Sequence, residues 1–201
     1  YYELQQYREA VSSFSAALSI SEDNLNARFS RALAQMSNGH LADAESDFSM
    51  ILEQHTGVAE VWAQRAMVRQ SSGNLPGALA DLDEALKLKP DASRMRIIRG
   101  RLLKLMRRNN DSEADFTWVM QHQPAAAVDW ISRAILQFDR DPEAGLRDLE
   151  EAEKRYGPQP LILQPMAHVL SERLGREDDS VAVLDRLRSE EHTSALQSRL
   201  H

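Results

Sequence analysis

The sequence predicts an all-α protein made of antiparallel helix pairs that repeat along the chain. Residues of one type recur every 34 positions, as Ala10, Ala44 and Ala78 do. Between these positions, apolar residues recur with a spacing near 3.6, which is typical of helices that bury one face. Each unit contains two such stretches of about 14 residues, a length at which an isolated helix is marginal in water. Each pair is therefore expected to pack against its neighbours, as in repeat proteins.

The period holds in columns of quite different chemistry. Two columns are aromatic or aliphatic, one is basic, and two hold the glycine and proline that separate helices. The columns are Phe14, Phe48, Leu82 and Phe116; Leu18, Leu52, Leu86 and Met120; Arg31, Arg65, Arg99 and Arg133; Gly39 and Gly73; and Pro90 and Pro124. So many matches at one period indicate a stack of equivalent units.

The units can be placed along the chain in order. We expect a half-unit at 1–24, full units at 25–58, 59–92, 93–126 and 127–159, and a degenerate sixth at 160–187. First helices are expected at 25–38, 59–72, 93–108 and 127–140, and second helices at 40–55, 74–89, 109–123 and 141–156. In the third unit, Gly73 and Asn74 separate the two helices. Pro90 closes the second helix, because proline cannot continue a helix interior.

This unit resembles the tetratricopeptide repeat, whose pattern begins W-x2-L-G-x2-Y and continues A-x3-F…P. Trp62, Ala78 and Pro90 match that pattern directly, and Ala66 stands where it has Gly. Arg65 replaces the Leu, and the same replacement recurs through the units, which marks a subtype. The resemblance covers about residues 1–187. It implies a right-handed α-solenoid with first helices on a concave face and second helices on a convex face.

Both ends of the chain depart from a complete repeat protein. The stretch RSEEHTSALQS, Arg188 to Ser198, resembles the translation of a common sequencing-library adapter, which would have Glu in place of Ala195. Residues 188–201 are therefore predicted to be a non-native tail. At the other end, Tyr1 opens directly into a helical pattern without a Met, so the chain is expected to be a fragment. With the N-terminus missing, the cytoplasm is only the default expectation for its compartment.

The composition excludes several classes of protein. Of the 201 residues, 42% are hydrophobic and 27% charged, with a formal net charge of −7, as in soluble globular proteins. No apolar run approaches the roughly 18 residues of a transmembrane helix. The acidic balance argues against nucleic acid as a partner, since domains that bind it usually carry positive charge. Cysteine is absent, which excludes disulfides and thiolate metal sites.

The sequence contains no catalytic or cofactor motif. The patterns H-E-x-x-H, G-x-x-x-x-G-K-[ST], G-x-G-x-x-G and G-x-S-x-G are all missing. Carboxylate pairs such as Asp81 and Asp83 lie on predicted second helices, where a solvated face is the ordinary explanation. We therefore expect no enzymatic activity, no cofactor and no metal.

An arginine column and an aspartate column run in register through the units. They predict one Arg–Asp pair in each unit: Arg31–Asp47, Arg65–Asp81, Arg99–Asp115 and Arg133–Asp148, the last one place early because its unit is a residue short. Exposed pairs contribute only ~0.2–1 kcal/mol, whereas removing one partner of a buried pair costs several times more. A structural role is therefore favoured over ligand binding.

Charge is sorted between the two kinds of helix. Over the four full units, first helices sum to +10 and second helices to −11, and most of the positive charge lies between Arg94 and Arg108. A positive concave face would attract an acidic partner, and apolar neighbours would suit an apolar anchor. The predicted partner-binding residues are Arg94, Arg101, Lys104 and Arg108, spaced to share one helix face, with Phe29, Leu33, Met67, Ile97, Ile131 and Ile135. Packing of unit on unit is an equally weighted explanation for the apolar members.

The leading functional hypothesis is a non-enzymatic scaffold that binds a protein or peptide of acidic and apolar character on its concave face. The alternative is a regulatory or scaffolding repeat segment of a larger bacterial signalling enzyme, such as a serine/threonine kinase. A kinase signature upstream of Tyr1 would distinguish the two. An RNA-binding helical repeat rests only on the basic helix and is the weakest hypothesis.

Overall fold

The computed structural model describes the backbone of residues 2–199 and the side chains of residues 6–189. In that part of the chain there are eleven α-helices and no β-strand. They are α1 (Tyr2–Ile20), α2 (Leu25–Ser37), α3 (Leu41–Gln54), α4 (Ala59–Ser71), α5 (Leu75–Leu88), α6 (Ser93–Leu105), α7 (Asn109–Gln121), α8 (Ala127–Gln137), α9 (Pro142–Tyr156), α10 (Pro160–Glu172) and α11 (Glu177–Arg199). Consecutive helices pack together from α1 to α5 and from α8 to α11. The predicted fold class, an all-α solenoid of antiparallel helix pairs, is confirmed.

The helices divide into two compact parts, each larger than one repeat, which we call unit 1 and unit 2. Unit 1 holds the chain up to Pro90 together with Ile98–Ala114, and unit 2 holds Asp91–Ile97 together with the chain from Asp115 onward. The division therefore falls inside α6 and α7.

The core of unit 1 joins α2, α3 and α4. Its buried members are Ala32, Ala44, Phe48, Ile51, Leu52, Val61 and Val68. Phe29 packs edge to face on Phe48, with ring centroids 5.6 Å apart, an arrangement that aromatic pairs favour. Ala44 and Ala78 have no exposed surface, so the small residues of this column sit where the helices of a pair approach closely.

The core of unit 2 joins α8, α9, α10 and the start of α11. Gly145 occupies the place in α9 that Ala44 and Ala78 hold in unit 1, one position early. A Cβ atom at Gly145 would lie 2.6 Å from the Phe138 ring and 2.8 Å from the carbonyl oxygen of Ala134. The approach of α9 to α8 therefore leaves no room for a side chain at this position.

Local sequence signals set several helix ends. The side chains of Asn24, Asn74 and Asp141 accept backbone N–H groups at the starts of α2, α5 and α9, an interaction that typically contributes about 1 kcal/mol. Gly39 and Gly73 follow α2 and α4 with φ of 81° and 83°, a conformation that glycine adopts readily. The predicted helices agree with these ends to within one residue, whereas α7 and α8 end at Gln121 and Gln137 instead of the predicted 123 and 140.

The predicted end of α6 is wrong. The helix was expected over 93–108 but ends at Leu105, and Arg107 adopts φ of 60°. Arg107 lies 34 residues after Gly73, so it occupies the turn position of the repeat without the glycine that stands there as Gly39 and Gly73. The backbone closes the turn as in the other units, with the Arg107 N–H donating to the Lys104 carbonyl at 3.0 Å.

Candidate partner-binding face

Three of the predicted Arg–Asp pairs are formed: Arg31–Asp47, Arg65–Asp81 and Arg133–Asp148. In each, the guanidinium donates through Nε and Nη2 to the two carboxylate oxygens, over distances of 2.6 to 2.9 Å. All three carboxylates are buried. Arg99 belongs to unit 1 and Asp115 to unit 2, and their pairing stays a prediction.

The arginines of unit 1 also reach the preceding second helix. Arg31 Nη1 donates to Ser15 Oγ at 3.3 Å, and Arg65 Nη1 donates to Ser49 Oγ at 3.1 Å. Arg99 Nη1 donates to Asp83 Oδ1 at 2.8 Å. These three acceptors are themselves 34 residues apart, a column that sequence reasoning missed. The same contact thus recurs at each step along unit 1, from α1 to α2, from α3 to α4 and from α5 to α6.

Each of the three carboxylates accepts a further hydrogen bond, and its donor stands at one of two positions on the first helix. Arg28, three residues before Arg31, lies 3.5 Å from Asp47. In the repeats at 59–92 and 127–159 a tryptophan stands at that position, as Trp62 and Trp130. Each tryptophan lies under the guanidinium of the pairing arginine. The extra donor then comes from the next turn of the helix: Arg69 Nη1 to Asp81 at 2.9 Å and Gln137 Nε2 to Asp148 at 2.5 Å.

The predicted basic residues have different surroundings. Arg101 and Lys104 are exposed on α6, and neither has a carboxylate partner among the side chains of residues 6–189. Arg108 lies beyond the end of α6, contrary to the prediction of a shared helix face, and pairs with Asp111 at 2.7 Å. Arg94 is half-buried in the first turn of α6.

Two of the predicted apolar contacts are inaccessible. Ile97 is 3% exposed and Ile131 is 7% exposed, which corrects the expectation that they face a partner. Ile131 belongs to the unit 2 core together with residues of α10, because first helices also pack on one another. Phe29, Leu33 and Met67 are half-buried, the first two against the unit 1 core. Ile135, in unit 2, is 43% exposed.

Six of the residues that remain accessible in unit 1 occupy equivalent places in successive first helices. Leu33, Met67 and Arg101 are 34 residues apart, and so are Met36, Gln70 and Lys104. We call these six residues the first-helix face. Because the Arg31, Arg65 and Arg99 contacts repeat from one helix pair to the next, equivalent residues lie in the same orientation along unit 1. None of the six is buried.

Asp129 is a buried carboxylate outside the Arg–Asp column. It lies in the first turn of α8 and accepts the backbone N–H of Arg94 at 2.9 Å. Burial raises the pKa of Asp129, while the backbone N–H groups of Arg94, Ala126 and Ser93 and the charge of Arg94 act in the opposite direction. This carboxylate joins α8 to the start of α6 within unit 2.

Other kinds of site find no support in the described part of the chain. No group of three or more His, Asp or Glu residues there could hold a metal ion. No helix there is long and apolar enough to cross a membrane.

The family model described as tetratricopeptide repeat matches residues 1–59 and 64–117, more than half of the chain. The chain belongs to the tetratricopeptide-repeat family. The fold of this family supports a role as a protein–protein interaction scaffold, and its members are generally non-enzymatic.

Solved structures share the fold at low sequence identity. A tetratricopeptide-repeat protein from Thermus thermophilus aligns with a TM-score of 0.59 and 18% identity, covering 84% of this chain and 93% of that one. One from Parabacteroides merdae has a TM-score of 0.55 and 19% identity, covering 92% and 73%. MamA has a TM-score of 0.51 and 12% identity, covering 94% and 91%.

A curated relative is much longer. The human protein O-mannosyl-transferase TMTC1 is 25% identical over 199 residues, which cover 96% of this chain. The chain spans 22% of the length of that protein.

Proposed function

We propose that this chain is a binding module whose first-helix face holds a segment of a partner protein with acidic and apolar character. The observation that carries the proposal is the pair Arg101 and Lys104. Both are exposed on α6 without a carboxylate partner among the described side chains, in a chain whose net charge is −7. Most other exposed cations stand beside an acid, as Lys87 does beside Glu84. An acidic partner would supply the missing counter-charge.

Half-buried apolar side chains in the equivalent positions of α2 and α4 support the apolar part of the proposal. Leu33, Met36 and Met67 retain accessible surface and can bury it against a partner. Methionine adapts its shape to different partners because its side chain is unbranched and flexible.

The proposal is tested by screening a peptide array with the intact chain and with two double variants. Arg101→Glu with Lys104→Glu reverses the charge of the face. Arg8→Glu with Lys89→Glu makes the same change in charge at exposed positions of unit 1 outside the face. We expect the wild type and the second variant to prefer peptides that combine acidic and apolar residues, and the first variant to lose that preference. Equal behaviour of the two variants would refute the proposal.

A second candidate is a repeat segment of a larger enzyme. It is favoured by the comparison with the O-mannosyl-transferase, in which a chain like this one corresponds to 22% of the length. Sequencing the complete open reading frame tests it. A catalytic domain in the same frame supports this candidate, and a frame that encodes repeats alone opposes it.

A further inference from the structure

We infer that the first-helix face recognises its partner by an ordered sequence of chemistry, with apolar residues at one end of the bound segment and acidic residues at the other. This inference rests on the proposed function and adds an order and a spacing to it. Along the two columns of the face, the side chains change from apolar to basic. The first column is Leu33, Met67 and Arg101, and the second is Met36, Gln70 and Lys104.

The change proceeds one helix at a time. In α2 both positions are apolar, in α4 one is apolar and one is a neutral amide, and in α6 both are cationic. Arg101 and Lys104 are three residues apart, so their side chains are neighbours on one helix face. A ligand that crosses the three helices in order therefore meets apolar surface first and two adjacent positive charges last.

The order excludes a ligand with mixed chemistry throughout its length. An acidic residue over α2 would lose water at Leu33 and Met36 without gaining a counter-charge, which is unfavourable. An apolar residue over α6 would leave Arg101 and Lys104 without an ionic partner. The same acidic residue over α6 would meet both cations. The face thus favours one arrangement of a given composition over its permutations.

The helix spacing sets the length of the segment. Packed helices lie about 8–10 Å apart, so the step from α2 through α4 to α6 covers roughly 16–20 Å. An extended chain advances about 3.3 Å per residue. The apolar anchor and the acidic pair of the ligand are therefore separated by roughly five or six residues.

A spacing series tests the inference. Synthetic peptides carry Leu-Met at one end and Asp-Glu at the other, joined by zero to ten Gly-Ser residues, and each is made in both chain directions. Binding to the intact chain is measured by fluorescence anisotropy at low and high salt. We expect affinity to peak at roughly three or four spacer residues in at least one direction, since the centres of the two dipeptide ends are then about five or six residues apart. Affinity should fall about tenfold at zero spacing because only one anchor can then engage.

Variants assign the two ends of the ligand. Met36→Gln and Met67→Gln keep side-chain length while removing apolar character, and should weaken the optimum peptide but not a peptide that lacks the Leu-Met end. Arg101→Glu with Lys104→Glu should remove the salt dependence, and Arg8→Glu with Lys89→Glu should leave it intact. Circular dichroism melts confirm that each variant remains folded.

The possible failures are distinguishable. If peptides of mixed composition bind with no dependence on spacing in either direction, the ordered arrangement is wrong and the proposed function survives. If no acidic and apolar peptide binds, both are wrong.

Discussion

Each of the three aspartates observed in Arg–Asp pairs accepts more hydrogen bonds than one arginine supplies. Buried Asp81 accepts hydrogen bonds from two guanidinium groups, those of Arg65 and Arg69. A buried carboxylate is costly unless its oxygens are satisfied, so the repeat adds a donor from whichever side leaves room. Where a tryptophan stands three residues before the arginine, the additional donor comes from the following turn of the helix. The network therefore constrains three positions of the first helix together.

At this scale we predict that Asp81→Ala lowers the free energy of unfolding by about 3 kcal/mol, since it leaves two half-buried guanidinium groups without their carboxylate. Replacing the pair by apolar residues, Arg65→Met with Asp81→Leu, should restore part of the loss. Urea unfolding measures both. Glu84→Gln, in the exposed pair with Lys87, is the control and should leave the urea midpoint nearly unchanged. An equal effect of Asp81→Ala and Glu84→Gln would contradict the role of the buried network.

Asp129 makes a prediction about pH. Because burial raises the pKa of Asp129 in the folded chain, its neutral form is favoured there relative to the unfolded chain. Its contribution to stability is then fully present below the unfolded pKa and is lost as the pH rises through the folded pKa. Asp129→Asn cannot ionise, so the variant should gain stability relative to the wild type as the pH rises above about 4, the ordinary pKa of an aspartate in an unfolded chain. Urea unfolding at several pH values checks this. A difference that stays constant or shrinks with pH would refute it, and Asp23→Asn, at an exposed turn, serves as control.

Among the elements, α6 shows how a helix can end without its usual signal. Gly39 and Gly73 stand at the turn between the two helices of their repeats. Arg107 makes the same turn with a positive φ, which is unfavourable for a residue with a side chain. Strain of this kind costs of order 1–3 kcal/mol.

We predict that Arg107→Gly raises the free energy of unfolding by about 1 kcal/mol, because relief of strain exceeds the extra freedom of glycine in the unfolded chain. The reverse change, Gly73→Arg, should lower it by a similar amount. Thermal melts followed by circular dichroism measure both changes. Destabilisation by Arg107→Gly would show that the arginine side chain makes a contact worth more than the strain.

The helices themselves could be predicted from the sequence because a 34-residue period repeats every signal several times. The end of α6 could not, because the segment from Arg94 to Arg108 contains no glycine or proline after Gly100, and only comparison with Gly73 reveals the turn. The residues of the candidate partner-binding face were harder to predict from the sequence. Charge and polarity along the first helices identified Leu33 and Arg101 as candidates, but they could not separate residues that face a partner from those that pack between first helices, as Ile131 does.

For the whole molecule, the predicted non-native tail defines where the folded chain should end. Among the side chains of residues 6–189, the last one of α11 packed against the unit 2 core is Leu187, and Val183 before it is buried. Residues 190–201 lie outside the described side chains, and the backbone of α11 continues to Arg199.

We predict that a chain ending at Leu187 keeps its melting temperature within about 3 °C of the full chain, equivalent to about 1 kcal/mol or less. A chain ending at Ser180 removes both core residues of α11 and should lose considerably more. Differential scanning calorimetry compares the three. A loss at Leu187 as large as that at Ser180 would assign the tail a part in the fold.

The arginine contacts to the preceding helix carry a consequence for how such a protein changes over evolution. Ser15, Ser49 and Asp83 are different acceptors, yet each satisfies the arginine that follows it by 16 residues. If recombination deleted residues 59–92, Arg99 would meet Ser49 in place of Asp83, and a hydroxyl already serves Arg65 in that place. Duplication of the same segment would likewise join compatible surfaces. At this contact, gain or loss of a whole repeat would therefore leave the arginine with an acceptor.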